Sequence, residues 1–250
     1  MKNLAEVIQN TVVPEGNVAV FWAGQAGYIF KTADCKLLGL DLYLSDACER
    51  EIGFKRLSPA LIAPEELSFD YILVSHAHMD HFDIDAVPKL VGENTQFIGA
   101  LDTEAECKKA GLTKNLHFVK PGDSLTFDSF QISAVSCDHG TLAPDAVGFL
   151  LDFGGKRVYY AGDTAYRSEL FTNEKVQNAD LLLVPINGMY GNMNGEEGAC
   201  AAEMAKAKLT APYHFWCFAE HCGNPLEFMN AMQEKNLPYT MLYMGEGILL

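Results

Sequence analysis

Short apolar runs alternate with polar and glycine-containing segments along the whole chain, a pattern that predicts strands and helices in turn. A short amphipathic helix is predicted over residues 4–10, before the first strand. The other predicted helices cover 83–91, 103–110, 168–177, 196–208 and 226–234. The predicted strands cover 17–22, 28–31, 36–44, 70–75, 96–100, 116–120, 125–128, 131–136, 147–153, 157–161, 180–186 and 211–216.

Each half of the chain has strands first and strand–helix alternation afterwards. Glycine-containing turns at 24–27 and 154–155 each separate two strands and predict hairpins. Two mixed β-sheets facing each other, with helices outside, would bury strands of this kind. No linker-like segment interrupts the pattern. We therefore predict an α/β fold and a single domain over residues 1–250, with 1–16 as an N-terminal appendage.

The composition is that of a globular protein with an acidic surface. Hydrophobic residues make up 49% of the 250-residue chain, which is enough for a sizeable core, and the formal net charge is −15. A negative field opposes a polyanion, because nucleic-acid binding depends on Lys and Arg replacing counterions. The charge therefore argues against a nucleic-acid partner.

The cysteines and the N-terminus indicate a compartment. The seven cysteines are scattered and contain no Cys-x-x-Cys pair, which argues against a disulfide framework and for a reducing environment. The first sixteen residues lack the apolar core of a signal peptide. No run approaches the roughly 18 apolar residues of a membrane span. These features predict a cytoplasmic protein without a membrane partner, and they leave a homo-oligomer open.

The strongest chemical signal follows the predicted strand 70–75. His76, His78, Asp80 and His81 lie within six residues, where a buried strand becomes a loop. Imidazole and carboxylate side chains are ligands of Zn²⁺ and also of Mn²⁺ or Fe²⁺. A histidine-rich surface loop would look similar, but so short a segment cannot saturate two ions. A true site therefore requires further ligands at other strand ends.

Such residues do occur at three later strand ends. They are His139, Asp163 and His214. Five of the seven histidines thus lie at candidate ligand positions. Of the other two, His117 is interpreted as a structural or surface residue. His221 is a weaker candidate for a residue that lines the same cavity.

This order of motifs resembles the metallo-β-lactamase superfamily, with H-x-H-x-D-H, a later His, an Asp in a Gly-Asp-Thr turn and a late His. The matching residues are His76, His78, Asp80, His81, His139, Asp163 and His214. Asp41 matches the early aspartate of that superfamily. Much of the chain also resembles the branch that contains L-ascorbate-6-phosphate lactonase. It departs from that branch at 137–144, which leaves the substrate open.

The resemblance implies an αββα sandwich with two divalent metal ions at one edge. The implied ligands are, for the first ion, His76, His78 and His139, and for the second ion, Asp80, His81 and His214. Asp163 would bridge the two ions, and Asp41 would orient a ligating imidazole. Zn²⁺ is the favoured metal, with Mn²⁺ and Fe²⁺ as alternatives.

Two cations roughly 3.5–4 Å apart can share a water, lower its pKa and polarise a substrate oxygen. We therefore predict a hydrolase that uses a dinuclear metal-bridged hydroxide to cleave a small-molecule ester, lactone or phosphoester. Asp80 and His214 are the candidate catalytic residues, and Asp80 would also carry a proton. The alternatives are a nucleic-acid or cyclic-nucleotide phosphodiesterase of the same superfamily and a non-catalytic metal-binding sensor.

Substrate contacts are predicted after the Gly-Asp-Thr turn and after the strand 180–186. The candidates are Tyr166, Arg167, Asn187 and Tyr190. The guanidinium of Arg167 could bind an anionic group by two parallel N–H donors, and a surface charge at a helix start is an equal alternative. Cys137 has no partner arrangement for a nucleophile and is interpreted as a small buried thiol.

Overall fold

The computed structural model describes residues 3–250, so that Met1 and Lys2 of the predicted appendage 1–16 lie outside the described residues. The strands within that range are β1 (Val18–Gly24), β2 (Gly27–Thr32), β3 (Leu37–Leu40), β4 (Tyr71–Val74), β5 (Gln96–Ala100), β6 (Leu116–Val119), β7 (Ser124–Thr126), β8 (Gln131–Ser136), β9 (Val147–Asp152), β10 (Arg157–Tyr160), β11 (Leu181–Pro185), β12 (Thr210–Tyr213) and β13 (Gly247–Leu249). The helices are α1 (Leu4–Asn10), α2 (Ala47–Ile52), α3 (Val87–Leu90), α4 (Thr103–Lys109), α5 (Ser168–Phe171), α6 (Gly195–Ala205) and α7 (Pro225–Glu234), with a 3-10 helix at Pro64–Glu66.

Three predicted elements are shorter than expected, for local reasons. The strand predicted over 36–44 ends at Leu40, because Asp41 has a φ of 47°, which an extended strand cannot contain. The helices predicted over 83–91 and 168–177 are reduced to α3 and α5. In the first of these segments the Asp83 side chain accepts a hydrogen bond from the backbone N–H two residues later, and in the second the Asn173 side chain does the same. Such local bonds favour a turn over a helix. The sequence pattern also misses α2 and β13.

The chain divides into two compact units. The first unit runs up to Val119 and also includes Leu242–Leu250. Its seven-stranded mixed sheet has the order β13-β1-β2-β3-β4-β5-β6. Neighbours from β3 to β6 are parallel, and those from β13 to β3 are antiparallel. The parallel pair β3 and β4 places the segments after Leu40 and Val74 at the same edge of the sheet.

The predicted N-terminal helix belongs to this first unit. Ile8 of α1 is fully buried in the same apolar cluster as Ile29 of β2 and Phe97 of β5. The buried Lys31 ammonium donates to the carbonyl oxygens of Ile8 and Gln9 at 3.0 and 2.7 Å. The last carbonyls of a helix lack intrahelical partners, so this lysine caps α1 and fixes it to the sheet.

The second unit, Lys120–Met241, contains a six-stranded mixed sheet ordered β12-β11-β10-β9-β8-β7. Strands β10, β11 and β12 are parallel neighbours, whereas β8, β9 and β10 are antiparallel neighbours. Strand β8 therefore runs in the same direction as β10, and the carboxyl ends of β8, β10, β11 and β12 meet at one edge. The predicted α/β fold with two mixed sheets is confirmed, and the single-domain assignment stays a prediction.

Candidate metal centre

Four candidate ligands leave the end of β4 in one irregular loop. His76 and His81 are fully buried, while Asp80 keeps 17% of its side chain exposed. His76 Nε2 and His78 Nδ1 lie 2.9 Å apart, and His81 Nε2 lies 3.7 Å from Asp80 Oδ2. Two nitrogens bonded to one tetrahedral zinc ion at about 2.0–2.1 Å stand about 3.3–3.4 Å apart. The loop alone thus brings its donor groups together in pairs at close to ligand spacing.

Asp41, at the end of the neighbouring strand β3, holds this loop. The carboxylate is fully buried, and its Oδ2 lies 2.7 Å from His81 Nδ1 and accepts from Ser75 Oγ at 2.5 Å. Its Oδ1 accepts from the Ser75 backbone N–H at 2.7 Å. Because His81 Nδ1 faces this carboxylate, Nε2 is left as the nitrogen that can bind an ion. This is the contact that the predicted orienting role of Asp41 requires.

A second buried carboxylate, Asp83, has no counterpart in the sequence interpretation. Its Oδ2 accepts from the backbone N–H groups of Leu44 and Ser45, each at 2.8 Å. Its Oδ1 accepts from Ser45 Oγ at 2.7 Å and from the backbone N–H groups of Asp85 and Ala86 at 3.0 and 3.1 Å. Five donors thus satisfy one buried charge. Asp83 thereby joins the segment that follows β3 to the segment that follows β4.

The second unit supplies three candidate ligands from three different strand ends. His139 follows β8, Asp163 follows β10 and His214 follows β12, and none is more than 4% exposed. Asp163 Oδ2 lies 3.2 Å from His214 Nε2 and 3.9 Å from His139 Nε2. His214 has a φ of 61°, and strained backbone of this kind concentrates at functional sites. One carboxylate oxygen therefore lies between two imidazoles.

The Asp163 turn is tied to its neighbours by hydrogen bonds. The amide of buried Asn192 donates to Asp163 Oδ2 at 2.6 Å. Thr164 Oγ1 accepts from the Asp138 N–H at 2.8 Å, and the Tyr213 hydroxyl donates at 2.7 Å to the carbonyl that precedes Asp163. These bonds connect the turn to the segment after β11, to the end of β8 and to β12. The position of Asp163 is therefore set by tertiary contacts.

His221 lies beside His214, with ring centroids 5.3 Å apart. It is buried, and its ring also packs against Phe218 and Tyr190, with centroids 5.1 and 5.5 Å away. The amide nitrogen of Asn187 lies 3.5 Å from His221 Nδ1. The structure thus brings Asn187 and Tyr190, two predicted substrate contacts, around a histidine next to a candidate ligand. Their roles toward a substrate stay predictions.

The other two predicted substrate contacts are engaged with protein groups. The Tyr166 ring stacks on Phe171 with centroids 6.1 Å apart, and burial raises the pKa of its phenol. Arg167 is 53% exposed, and its Nε donates to Asp138 Oδ2 at 2.7 Å. Arg167 therefore has an ion pair of the kind that its surface interpretation predicts. A substrate role for either residue stays a prediction.

His117 and Cys137 are of metal-binding residue types, but no ligand role is predicted for either. His117 lies in β6, and its Nε2 is 2.9 Å from Gln96 Oε1 on the adjacent strand, as a structural histidine would be. Cys137 is only half-buried, so its thiol is less enclosed than predicted.

The residues that the sequence interpretation missed are those that hold the candidate ligands. Gln25 and Asn192 each donate to a candidate ligand, and Ser75 donates to the orienting carboxylate of Asp41. Asp83, just after the histidine-rich loop, joins it to the segment that follows β3. The sequence carries a signal for Ser75 and Asp83, because both lie within two residues of the histidine-rich segment. Asn192 and Gln25 are far from their partners along the chain, so residue spacing carries no signal for these contacts.

The family follows from comparison with known proteins. The family described as Beta-lactamase superfamily domain matches residues 43–215. A UPF0173 metal-dependent hydrolase of Polynucleobacter asymbioticus is 24% identical over 94% of this chain and 87% of its own length. A UPF0173 protein of Pyrococcus furiosus is 30% identical over 87% of this chain and 92% of its own length. The chain therefore belongs to the β-lactamase superfamily.

A solved structure supports the same fold. A metallo hydrolase from Ignicoccus hospitalis superposes with a TM-score of 0.74 at 18% identity, covering 94% of this chain and 98% of that one. The predicted metallo-β-lactamase fold and the class of a hydrolase without an assigned substrate are confirmed. The lactonase-containing branch, the metal's identity and number, and the partners stay predictions. No helix within residues 3–250 is long and apolar enough to cross a membrane, and the cytoplasmic location stays a prediction.

Proposed function

We propose that this chain is a metal-dependent hydrolase that holds two divalent ions and cleaves a small ester, lactone or phosphoester. The ligands would be the seven residues that the superfamily's motif implies: His76, His78, Asp80, His81, His139, Asp163 and His214. The observation that carries the proposal is the buried Asp163, which has the imidazoles of His214 and His139 3.2 and 3.9 Å from one oxygen. A carboxylate shared between two imidazole ligands is what a bridging role requires.

The residues present fit such ions. The candidate set comprises five imidazoles and two carboxylates, which match the preferences of Zn²⁺ and also of Mn²⁺ or Fe²⁺. Next to Asp163, the buried Oδ1 of Asn192 has no hydrogen-bond partner within residues 3–250. Buried polar atoms are normally satisfied, so this oxygen has capacity for a further donor such as an ordered water. We favour Zn²⁺ because imidazoles predominate.

The chemistry divides between the ions and the chain. Two bound divalent ions would lower the pKa of a water and polarise the reacting oxygen of the substrate. Asp80 would accept a proton from the attacking water and return it to the leaving group. Its carboxylate is 17% exposed, so a substrate can reach Asp80, whereas His76 and His81 are fully buried. His214 would bind the second ion and keep Asp163 in position beside it.

The substrate class rests on charge and family. The net charge of −15 opposes a polyanionic substrate, which supports a small molecule and no nucleic-acid partner. The relative in Polynucleobacter asymbioticus is named a metal-dependent hydrolase, and its name specifies no substrate. Lactones, phosphodiesters, phosphomonoesters and thioesters are therefore the compounds to screen.

The test compares three proteins, each loaded with Zn²⁺ or Mn²⁺. The wild type is expected to hold two ions by elemental analysis and to hydrolyse at least one of these compound classes. His78→Ala should lose metal and about 100-fold or more of that rate. His117→Ala is the matched control, because His117 is not a candidate ligand and its imidazole is hydrogen-bonded to Gln96 on the adjacent strand. Equal rates for wild type and His78→Ala, or fewer than two ions in the wild type, would contradict the proposal.

A further inference from the structure

Gln25 lies in the turn between β1 and β2, yet it is only 2% exposed. Turns of this kind usually expose their polar residues, and glycine or asparagine usually takes the positive φ that they need. Gln25 has a φ of 49°. A buried glutamine in this conformation is uncommon, so tertiary contacts of Gln25 must stabilise the positive φ.

Both the backbone and the side chain of Gln25 are hydrogen-bonded. The indole N–H of buried Trp22 donates to the Gln25 carbonyl oxygen at 3.0 Å, and Trp22 O accepts in turn from the Gly245 N–H at 2.7 Å. The side-chain amide of Gln25 donates to Asp80 Oδ2 at 2.8 Å. An ionised carboxylate only accepts hydrogen bonds, so the amide nitrogen is the atom that faces Asp80. The backbone is thus fixed, and the side chain reaches a candidate ligand.

We propose that Gln25 is a positioning residue for Asp80, an inference that rests on the proposed metal centre. The amide bonds to Oδ2, the same oxygen that lies 3.7 Å from His81 Nε2. Holding one carboxylate oxygen prevents free rotation of the group. The placement of Asp80 relative to His81 is therefore set before an ion binds. The entropy lost in ordering the carboxylate then does not weaken ion binding.

Glutamine is the side chain that suits this task. Asparagine carries the same amide but is one methylene shorter, so from the same backbone it would fall short of Asp80. Methionine has a similar length but no N–H donor. Asparagine also adopts positive φ more readily than glutamine. A role confined to turn stability would therefore be preserved by Gln25→Asn, whereas a positioning role would not.

The experiment measures Co²⁺ binding to the full chain by visible absorption, beside thermal unfolding of the metal-free protein. Gln25→Met is expected to remain folded, to bind Co²⁺ about 10- to 100-fold more weakly and to change the Co²⁺ spectrum. Gln25→Asn should unfold at the wild-type temperature or above, and should still lose affinity. Gln177→Met is the matched control, because Gln177 donates one side-chain bond to the Met204 carbonyl at 3.0 Å in the second unit.

Each outcome decides the inference. Wild-type Co²⁺ affinity and spectrum in Gln25→Met would overturn it while leaving the proposed function standing. An equal loss of affinity in Gln177→Met would overturn it too, because the effect would then be general. A wild type that binds no Co²⁺ would overturn the proposed function and this inference with it. Loss of affinity in both Gln25 variants, with the control unchanged, would establish the positioning role.

Discussion

The two units supply their candidate ligands in different ways. In the first unit, four ligands come from six consecutive residues after β4. In the second unit, His139, Asp163 and His214 come from three strand ends that are distant in sequence. A compact loop needs only local chain geometry to bring its side chains together. Three strand ends need a sheet whose strands run in the same direction, as β8, β10 and β12 do.

The supports differ as well. In the first unit, two buried carboxylates hold the loop, since Asp41 and Asp83 each accept several backbone and side-chain donors. In the second unit, the buried carboxylate Asp163 is itself a candidate ligand, and the neutral amide of Asn192 donates to it. Replacing a supporting charge should therefore damage folding in the first unit. Replacing the charge in the second unit should chiefly damage metal binding.

The largest expected effect is that of Asp163→Asn. The change keeps the shape but removes the charge that would bridge two ions. Partners of metal ligands are worth about 10- to 100-fold in metal affinity or activity, so a ligand should be worth at least about 100-fold. Elemental analysis and kcat/KM should fall together, while the unfolding temperature of the metal-free protein stays close to the wild type. Two retained ions and full rate would refute the bridging role.

The next largest effect is that of Asp83→Asn, measured by urea unfolding of the metal-free protein. The asparagine NH₂ group would face N–H donors that now meet a carboxylate oxygen. Leaving a buried N–H donor without an acceptor costs about 1–3 kcal/mol of unfolding free energy, and more than one donor meets each oxygen of Asp83. Asp85→Asn is the control, because Asp85 is 41% exposed and pairs with Arg50 at the surface, where such pairs contribute about 1 kcal/mol or less. Similar losses in both variants would remove the contrast between the two regions.

A smaller effect is expected for Asn192→Ala, which sharpens the comparison. Loss of the 2.6 Å bond to Asp163 should weaken Zn²⁺ or Co²⁺ binding by about 10- to 100-fold. The unfolding free energy of the metal-free protein should fall by only about 1 kcal/mol. A stability loss as large as that of Asp83→Asn would show that the second region is held by buried polar groups in the same way as the first.

The contrast also explains what the sequence could predict. His76, His78, Asp80 and His81 are visible as a motif because their spacing is local. The candidate ligands of the second unit require strand predictions, and the strands predicted over 131–136, 157–161 and 211–216 overlap β8, β10 and β12. The ligand-holding contacts of Asn192 and Gln25 could not be predicted. They are single hydrogen bonds between distant segments, and such bonds leave no period in the sequence.

The missed elements have a similar cause. Helix α2 is six residues long and β13 only three, so neither offers enough positions for a period of burial to emerge. The pairing of β13 with β1 joins the end of the chain to its beginning. The apolar neighbours of Asp41 predict a strand through this residue, but its positive φ ends β3 before it. The backbone geometry at the carboxylate overrides the local apolar pattern.

The smallest expected effect concerns Asp180, which lies in the second unit away from the candidate ligands. Burial raises the pKa of its carboxyl, but the Arg157 N–H and the Lys208 ammonium, both at 2.9 Å, outweigh burial and lower the pKa overall. A carboxyl whose pKa is lower in the folded state stabilises the fold above its unfolded pKa of about 3.9, and that stability is lost as the pH falls through the folded pKa.

Asp180→Asn should therefore cost about 0.5–1 kcal/mol of unfolding free energy at pH 7, the range of a partly exposed ion pair. The difference between variant and wild type should shrink as the pH falls below about 4. Urea unfolding at pH 7, 5 and 3 measures it, with metal-free protein so that ligand protonation does not contribute. A difference that is the same at all three pH values would mean that the charge of Asp180 adds nothing. The hydrogen bonds of Asp180 would then stabilise the second unit without a contribution from charge, in contrast to the carboxylate-held loop of the first.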